Sequence, residues 1–342
     1  MQVVLEGTTS NPTSVDSGVP QGTVLGPLLF LCHINDLPST VSSQVRLFAD
    51  DCLLYREIST FDDHVTLQND LKLLQKWADT WGMKFNASKC YILSISKEQI
   101  RKSYFHYQLN DTILKHVSTN PYLGILFSEN LTWSAHINKI TSKANSTLGF
   151  LQRNLHNCPR KCKQTAYVSL VRSLVEYGAT LWDPYLKKEI DSLEKIQRKA
   201  LRFIYGDYKN YTPGTINNLQ QRSGLPSLLD RRKALRLTFM YKLVEGLVPA
   251  MPPASFIEFN KPGRQIRARK TSEYSSTNII ERHIRNNSKT IKIRPSNSEQ
   301  FRQSFFIKTA VDWNQLSESV VQSTSLESFK SQLQKHMKLD HQ

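Results

Sequence analysis

No stretch of 18 consecutive apolar residues occurs in this 342-residue sequence. A membrane-spanning helix needs about 20 such residues, so none is expected. The longest apolar run, VLGPLLFLCHI, is broken by Gly26, Pro27 and His33. The N-terminal MQVVLEGTTSNPT has neither a basic start nor an apolar stretch, which argues against a secretory signal peptide. Cysteine is scarce, with five residues at 32, 52, 90, 158 and 162. An odd, scattered set points to a reducing, intracellular compartment rather than to a disulfide framework and secretion. CPRKC (Cys158 and Cys162) has no second ligand pair after it, so a structural zinc site, which needs four ligands, is disfavoured. No repeat of 20–50 residues is visible.

An apolar fraction of 39% is enough for a sizeable core in one large or two smaller domains. Charge is uneven. Residues 1–152 carry 12 Lys+Arg against 13 Asp+Glu, whereas residues 153–342 carry 33 against 16. Such a basic half suits a polyanion. Nucleic acid comes first, with an anionic membrane surface and a merely solubilising excess as alternatives.

Periodicity predicts a mixed first part and a helical remainder. SGVPQGTVLGPLLFLCHINDL runs from a glycine-rich turn into a helix from Leu25 to about Asn35. VRLFADDCLLYREI reads as a β-hairpin. Thr60, Asp62 or Asp63 can cap the next helix, whose Leu67, Leu71, Leu74, Trp77, Ala78 and Trp81 recur at three- and four-residue spacing, with Gly82 as C-cap. KCYILSIS reads as a strand, YFHYQLNDTILKHV as a hairpin turning at Asn110-Asp111, and YLGILF as another strand. Further on, apolar positions 133, 137, 140, 144 and 148 mark a helix. Pro159 opens another through Tyr177, and Ile190, Leu193, Ile196, Ala200 and Phe203 line one face of a third. Beyond 206 the pattern loosens. Segment 261–308, with 12 Lys+Arg against 3 acidic residues, reads as a basic extended arm or partly disordered loop.

Two adjacent carboxylates, Asp50 and Asp51, interrupt the apolar flanks RLFA and CLLY. Like charges about 4 Å apart repel by roughly 4 kcal/mol at an effective dielectric near 20. A solvated turn or alternation across a strand relieves this, and so does a bridging divalent cation. Magnesium takes carboxylate and water oxygens, and a pair of such ions is the clamp for in-line phosphoryl transfer. The bland reading is a solvated acidic turn. Against it, the turn is anchored between buried-type strands and lacks the usual Gly or Asn. Ahead of it, SGVPQG brackets Pro20 and Gln21 with Gly18 and Gly22, which lets a bulky partner approach the backbone, and the following helix presents its amides there.

SGVPQGTVLGPLLF followed by FADD resembles motifs B and C of the reverse transcriptases of non-LTR, LINE-type retrotransposons. LQKWADTWGMKFNASKC resembles the next family block, and YLGILFSENLTWSAHINKI the primer-grip strand and the start of the thumb. AYVSLVRSLVEYGATLWDPY, LEKIQRKALRFI and TAVDWNQLSES resemble later blocks. The resemblance implies an α+β fold: a partial polymerase palm of antiparallel sheet plus helices at 1–128, a helical thumb-like region at 129–206, and a basic, mostly helical C-terminal region at 207–342. It implies Asp50 and Asp51 as metal ligands for Mg2+, and Gly18, Pro20, Gln21 and Gly22 as contacts to nucleotide and template. Lys89 matches a position that bears on pyrophosphate, with Lys84 also available. Tyr122, Leu123 and Gly124 match the primer grip. The implied partners are an RNA template, a DNA primer and deoxynucleotides, with no membrane, acting in the nucleus or cytoplasm. The family's first catalytic aspartate lies on a strand well before motif B. Only 16 residues precede Ser17 here, and Asp16 falls in the motif B loop itself, so a fragment is expected. The two functional expectations are therefore an RNA-directed DNA polymerase module and a catalytically dead nucleic-acid-binding remnant.

Arg264, Arg267, Arg269 and Lys270, with Tyr274 nearby, are expected to track a nucleic-acid backbone. Trp77, Trp81 and Phe85 can stack bases, but their helical spacing favours a core role. His136, beside Trp133 and Ile137, is read as a surface or packing residue.

Overall fold

The alternation in VRLFADDCLLY folds as the sequence predicts, into two antiparallel strands at Gln44–Phe48 and Asp51–Tyr55. Their register pairs Phe48 with Asp51 and Gln44 with Tyr55, leaving Ala49-Asp50 as a two-residue turn. The computed structural model describes residues 2–14, 18–19, 22–96, 105–260 and 287–337. The described chain is α+β and forms two units, Met1–Ser118 and Thr119–Gln342.

The first unit contains β1 (Val4–Leu5), β2 (Thr8–Thr9), α1 (Leu25–Ile34), β3 (Gln44–Phe48), β4 (Asp51–Tyr55), α2 (Phe61–Thr80), β5 (Tyr91–Ile92), β6 (Gln108–Leu109), β7 (Thr112–Ile113) and β8 (Lys115–His116). α2 organises it. Thr60 and Asp63 form a reciprocal capping box at its start. The carboxylate of Asp63 accepts bonds from the Thr60 and Ser59 amides, the Thr60 hydroxyl and Arg56, which together hold its pKa near 2. At the other end Gly82 takes φ +67°, the left-handed stop expected of a C-terminal glycine. One face of α2 (Leu74, Trp77, Ala78) packs with Ile34, Leu37 and Val45. Its Leu67 and Leu71 pack against Tyr107, Leu109 and Leu114. Trp77 is core, and its indole donates to Asp36 Oδ1 at 3.1 Å; Trp81 stays half-exposed. The β6–β7 hairpin turns at Asn110-Asp111, both at positive φ, as its sequence predicts.

Strand pairing departs from a single antiparallel sheet. The described strands form five separate two-stranded sheets, of which β5–β8 is parallel. KCYILSIS supplies only Tyr91 and Ile92 to a ladder.

The second unit begins with β9 (Thr119–Tyr122) and β10 (Ile125–Ser128), followed by α3 (Ser134–Asn154) and α4 (Arg160–Ala166). α4 continues through a π-turn (Tyr167–Arg172) into α5 (Ser173–Glu176), giving the single helical stretch expected after Pro159. α6 (Ala179–Trp182), α7 (Lys187–Tyr205), α8 (Thr215–Ser223), α9 (Leu228–Val244), α10 (Pro253–Phe256), α11 (Glu299–Arg302), α12 (Phe305–Asn314), α13 (Glu318–Val321) and α14 (Leu326–His336) complete it. The predicted face of α7 is the buried one, with Leu193, Ile196, Ala200 and Phe203 inside. Two apolar clusters result. α3 to α8 build the first, and α9 with α12 to α14 the second. α9 joins them, giving Leu228 to one and Leu237, Met240, Tyr241 and Leu243 to the other.

Part of the 261–308 segment is not a loose arm. Asn314 donates to the Ile291 carbonyl and accepts its amide at 2.8 Å, and Asn287 donates to the carbonyls of Trp313 and Leu316. These partners lie 23 to 29 residues along the chain, so local periodicity carries no trace of them. Arg264, Arg267, Arg269 and Lys270 lie outside the described residues.

Candidate active site

The β3–β4 hairpin shows one face to the core and one to solvent. Val45, Leu47, Cys52 and Leu54 face α2, whereas Arg46, Phe48, Asp51, Leu53 and Tyr55 do not. Burial beside Cys90 pushes the Cys52 thiol up to about 11. On the open face Tyr55 donates to Gln44 Oε1 at 3.0 Å and Arg46 lies 5.9 Å from the Tyr55 ring centroid. Asp50 sits in the turn and Asp51 at the first ladder position, both exposed. Ala49 holds φ +49°, a left-handed conformation that costs a non-glycine residue roughly 1–2 kcal/mol. The hairpin thus carries strain at the residue that aims the two carboxylates outward. Such strain concentrates at functional sites.

The base of the hairpin is clamped. Asp70 of α2 is buried and accepts the Ser42 and Ser43 amides at 3.0 and 2.8 Å and the Ser42 hydroxyl at 3.0 Å. Burial alone would raise the Asp70 pKa, but these serine hydrogen bonds outweigh it and hold it below the usual carboxylate value. α1 packs on the same cluster through Phe30 and Ile34. It buries only Gly26 and Ile34, leaving Leu25, Leu28, Leu29 and Leu31 more than half exposed.

Of the loop preceding α1, Gly18 and Gly22 take φ +88° and +84°. Among the described residues no atom lies near where a Cβ would stand at either position, and the positive φ itself favours glycine. Pro20 and Gln21 lie outside the described residues. Lys89 is exposed at the end of a 3-10 turn, Ala87–Lys89, and Lys84 is exposed just before it.

Tyr122, Leu123 and Gly124 belong to the second unit and correct an expectation. YLGILF is not one strand but two, turning at Leu123 (φ +48°) and Gly124 (φ +81°). The near-continuous apolar run concealed the turn. The turn is held by Tyr177, whose hydroxyl donates to the Leu123 carbonyl at 3.0 Å and whose ring lies 3.3 Å from where a Gly124 Cβ would stand. Gly178 (φ +63°) lies against Ile125 in the same way, with a Cβ only 2.5 Å from Ile125 Cδ1. His136 is buried, a packing residue as its sequence context suggests. Its Nδ1 accepts the Leu126 amide at 3.2 Å, and its ring meets Trp182 edge-on at 5.3 Å. That bond places the imidazole proton on Nε2, which is buried with no partner. Burial first, then Lys139, lowers its pKa.

An ion cluster that sequence reasoning missed lies on α9. Asp183 accepts Arg232 Nε at 2.9 Å and pairs with Arg236 at 2.9 Å and Lys308 at 2.7 Å. Arg236 reaches Asp312 at 3.0 Å, which also holds Lys233 at 2.9 Å. Burial opposes ionisation of Asp183, but Lys308 and Arg236 outweigh it and keep its pKa low. Burial depresses Lys308 despite its partner. The cluster ties the segments LWDPY and TAVDWNQL together, so it is architectural.

Among the described residues no group of three His, Cys, Asp or Glu side chains stands ready to hold a metal. Asp50 and Asp51 offer hard, exposed oxygens. This donor set fits a magnesium ion that completes its shell with water and substrate phosphates, as Mg2+ usually does.

Residues 2–127 match the family model described as reverse transcriptase (RNA-dependent DNA polymerase). The chain is 28% identical over 216 residues to the RNA-directed DNA polymerase from mobile element jockey of Drosophila melanogaster, covering 60% of this chain and 23% of that protein. It is 28% identical over 210 residues to a probable RNA-directed DNA polymerase from transposon X-element of the same species, covering 58% and 22%. With a Pol polyprotein from the type-1 retrotransposable element R2 of Popillia japonica it shares 24% identity over 262 residues, covering 67% and 41%. The chain therefore spans about a quarter of the length of the first two relatives. No solved structure matches. Residues 2–127 are thus similar to reverse transcriptases, and the longer matches are to RNA-directed DNA polymerases of mobile elements.

Proposed function

We propose that this chain is a module of an RNA-directed DNA polymerase that adds deoxynucleotides to a DNA 3′-hydroxyl on an RNA template. One observation carries the reading: Asp50 and Asp51 stand exposed at the tip of a hairpin whose turn holds Ala49 at positive φ. The first unit then serves as a partial palm. α3 and the helices after it serve as a thumb-like region that continues into the basic C-terminal region. Asp50 and Asp51 hold Mg2+, which supplies charge neutralisation for phosphoryl transfer. Gly18, Pro20, Gln21 and Gly22 admit nucleotide and template, and Lys89 stands by for the pyrophosphate. The turn at Leu123-Gly124, fixed by Tyr177, presents Tyr122 to the primer. The exposed leucines of α1 are surface of the kind that packs against further protein. The five free cysteines suit an intracellular setting, and the family implies action in the nucleus.

A second reading, nucleic-acid binding without catalysis, is favoured by the lack of a third metal-ligating side chain beside the pair among the described residues. Primer extension on an RNA template with Mg2+ separates the two. The polymerase reading expects incorporation that Asp50→Ala lowers by about 100-fold or more, the scale of a lost metal contact worth several kcal/mol. Salt-sensitive binding with no incorporation by either protein would establish the binding remnant instead.

A further inference from the structure

We propose that the second unit carries a phosphate-binding pocket for single-stranded nucleic acid where α4, α7 and α8 meet, with Arg160 and Arg222 as its anion-contacting groups. The cavity measures about 550 Å³ and is lined by Arg160, Lys161, Gln164, Thr165, Tyr205 and Arg222. Three of the six carry positive charge and none carries a carboxylate. That volume lies within the range of small-ligand sites, roughly 300–1,000 Å³, and suits a nucleotide unit.

Tyr205 preorganises the site. Its ring centroid lies 4.7 Å from the guanidinium carbon of Arg160 and 4.9 Å from that of Arg222. The two positive groups are therefore no further apart than the sum of those distances, close enough to meet neighbouring phosphates of one strand. Two like charges gathered on one ring, with no carboxylate among the described lining residues, repel each other in the free protein. An arriving phosphate relieves that repulsion, and guanidinium forks bind phosphate oxygens bidentately. The frame is rigid. Gln164 of α4 donates to the Ser223 carbonyl at the end of α8 at 3.0 Å, and Gly206 closes α7 in a left-handed C-cap directly after Tyr205. Arg160 and Arg222 are themselves exposed, so the fold does not consume them.

A nucleic acid suits this pocket better than a lipid surface. The lining residues are three cations, Gln164, Thr165 and one tyrosine, and they lie in the half of the chain with 33 Lys+Arg against 16 Asp+Glu. The site is remote in sequence from Asp50 and Asp51, and it rests on the nucleic-acid-handling part of the proposed function, not on catalysis.

The test is fluorescence anisotropy of the full chain with a labelled 20-nucleotide single-stranded RNA, titrated from low to high salt. For single strands the slope of log K against log salt is about −0.7 per phosphate neutralised. Arg160→Ala with Arg222→Ala should make the slope shallower by about 1.4 and weaken binding at 0.1 M salt on the order of 25-fold. The charge-preserving pair Arg160→Lys with Arg222→Lys should retain the slope. Lys330→Ala with Lys335→Ala, which removes the same charge from exposed positions on α14, should leave it near the wild-type value. An unchanged slope in the alanine pair, or an equal loss in the α14 control, overturns the proposal. So does pocket-dependent binding to phosphatidylserine vesicles with no pocket-dependent RNA binding. Asp50→Ala keeps the arms distinct: it should abolish incorporation and leave the salt slope intact, whereas the arginine pair changes the slope whether or not the chain polymerises.

Discussion

Asp183→Ala is expected to be among the most damaging single changes in the second unit. The carboxylate is 6% exposed and answers three cations at once: Arg232, which is wholly buried, Arg236 and Lys308. Asp312 remains for Arg236 and Lys233, whereas among the described residues Arg232 keeps only the nearby charge of Glu194 and no hydrogen-bonded carboxylate, since both of its terminal nitrogens are already buried without a hydrogen-bond partner. Breaking a buried ion pair by removing one partner costs about 3–5 kcal/mol, because an uncompensated charge is left behind. That is a large part of the 5–15 kcal/mol typical of a folded protein. Arg232→Met should cost distinctly less, since Asp183 would keep two cations and the methionine would refill the space. The order of the two variants, more than either value, expresses the local excess of positive charge. Lys308 adds a pH signature. Its pKa is already depressed by burial and should fall further in Asp183→Ala, so it neutralises in the folded state at a pH where the unfolded chain, near 10.4, still binds the proton. Stability then rises with pH in that window, and the deficit of Asp183→Ala should shrink between neutral pH and about pH 10. Urea titration followed by hydrogen exchange of the peptides spanning α6, α9 and α12 measures both. A loss below about 1 kcal/mol, or an Arg232→Met variant as damaged as Asp183→Ala, would refute the charge assignment.

Three further outcomes follow from the geometry. His136 must be neutral to accept the Leu126 amide, and its folded pKa is lowered, so its contribution is complete above about pH 6.5 and is lost as the pH falls below that value; the urea midpoint should drop between pH 7 and 5 more steeply than in His136→Phe, and parallel pH profiles would contradict this. Gly178→Ala sets a Cβ 2.5 Å from Ile125 Cδ1 at positive φ and should cost about 1–3 kcal/mol; adding Ile125→Val should restore part of it, and a melting temperature that does not recover would assign the whole cost to the backbone. Asp70→Asn replaces an acceptor of two amides and a hydroxyl, and should cost about 1–3 kcal/mol and raise hydrogen exchange across residues 44–55; unchanged protection there would show that the clamp does not hold the hairpin. Because the folded pKa of Asp70 is depressed, its contribution stands above the unfolded value near 3.9 and disappears as the pH falls through the folded one.

The features legible in the sequence are those set by neighbours along the chain. The period-two flanks around Asp50 and Asp51 specified the hairpin, since a one-residue slip would turn Val45 and Leu54 out of the core. Thr60 with Asp63, Gly82, and Asn110-Asp111 announced their own cap, stop and turn because each acts through backbone groups two to four residues away. The periodic face of α7 announced its own burial. Where two local signals competed, the reading failed: YLGILF is a near-continuous apolar run that reads like one strand, yet Leu123-Gly124 turns, and Tyr177, 54 residues from Leu123, fastens the turn from outside.

Tertiary structure alone decided the rest. Asp183 meets Arg232 across 49 residues and Lys308 across 125, and no periodicity encodes a charge pair at such separations. Arg160 and Arg222 become one site only because Tyr205 gathers them where three helices meet. Local stereochemistry wrote the Asp50-Asp51 hairpin and the helices into the sequence. The ion cluster exists only after packing brings distant charges into one low-dielectric neighbourhood, and the basic pocket only after three helices bring Arg160 and Arg222 to one tyrosine ring.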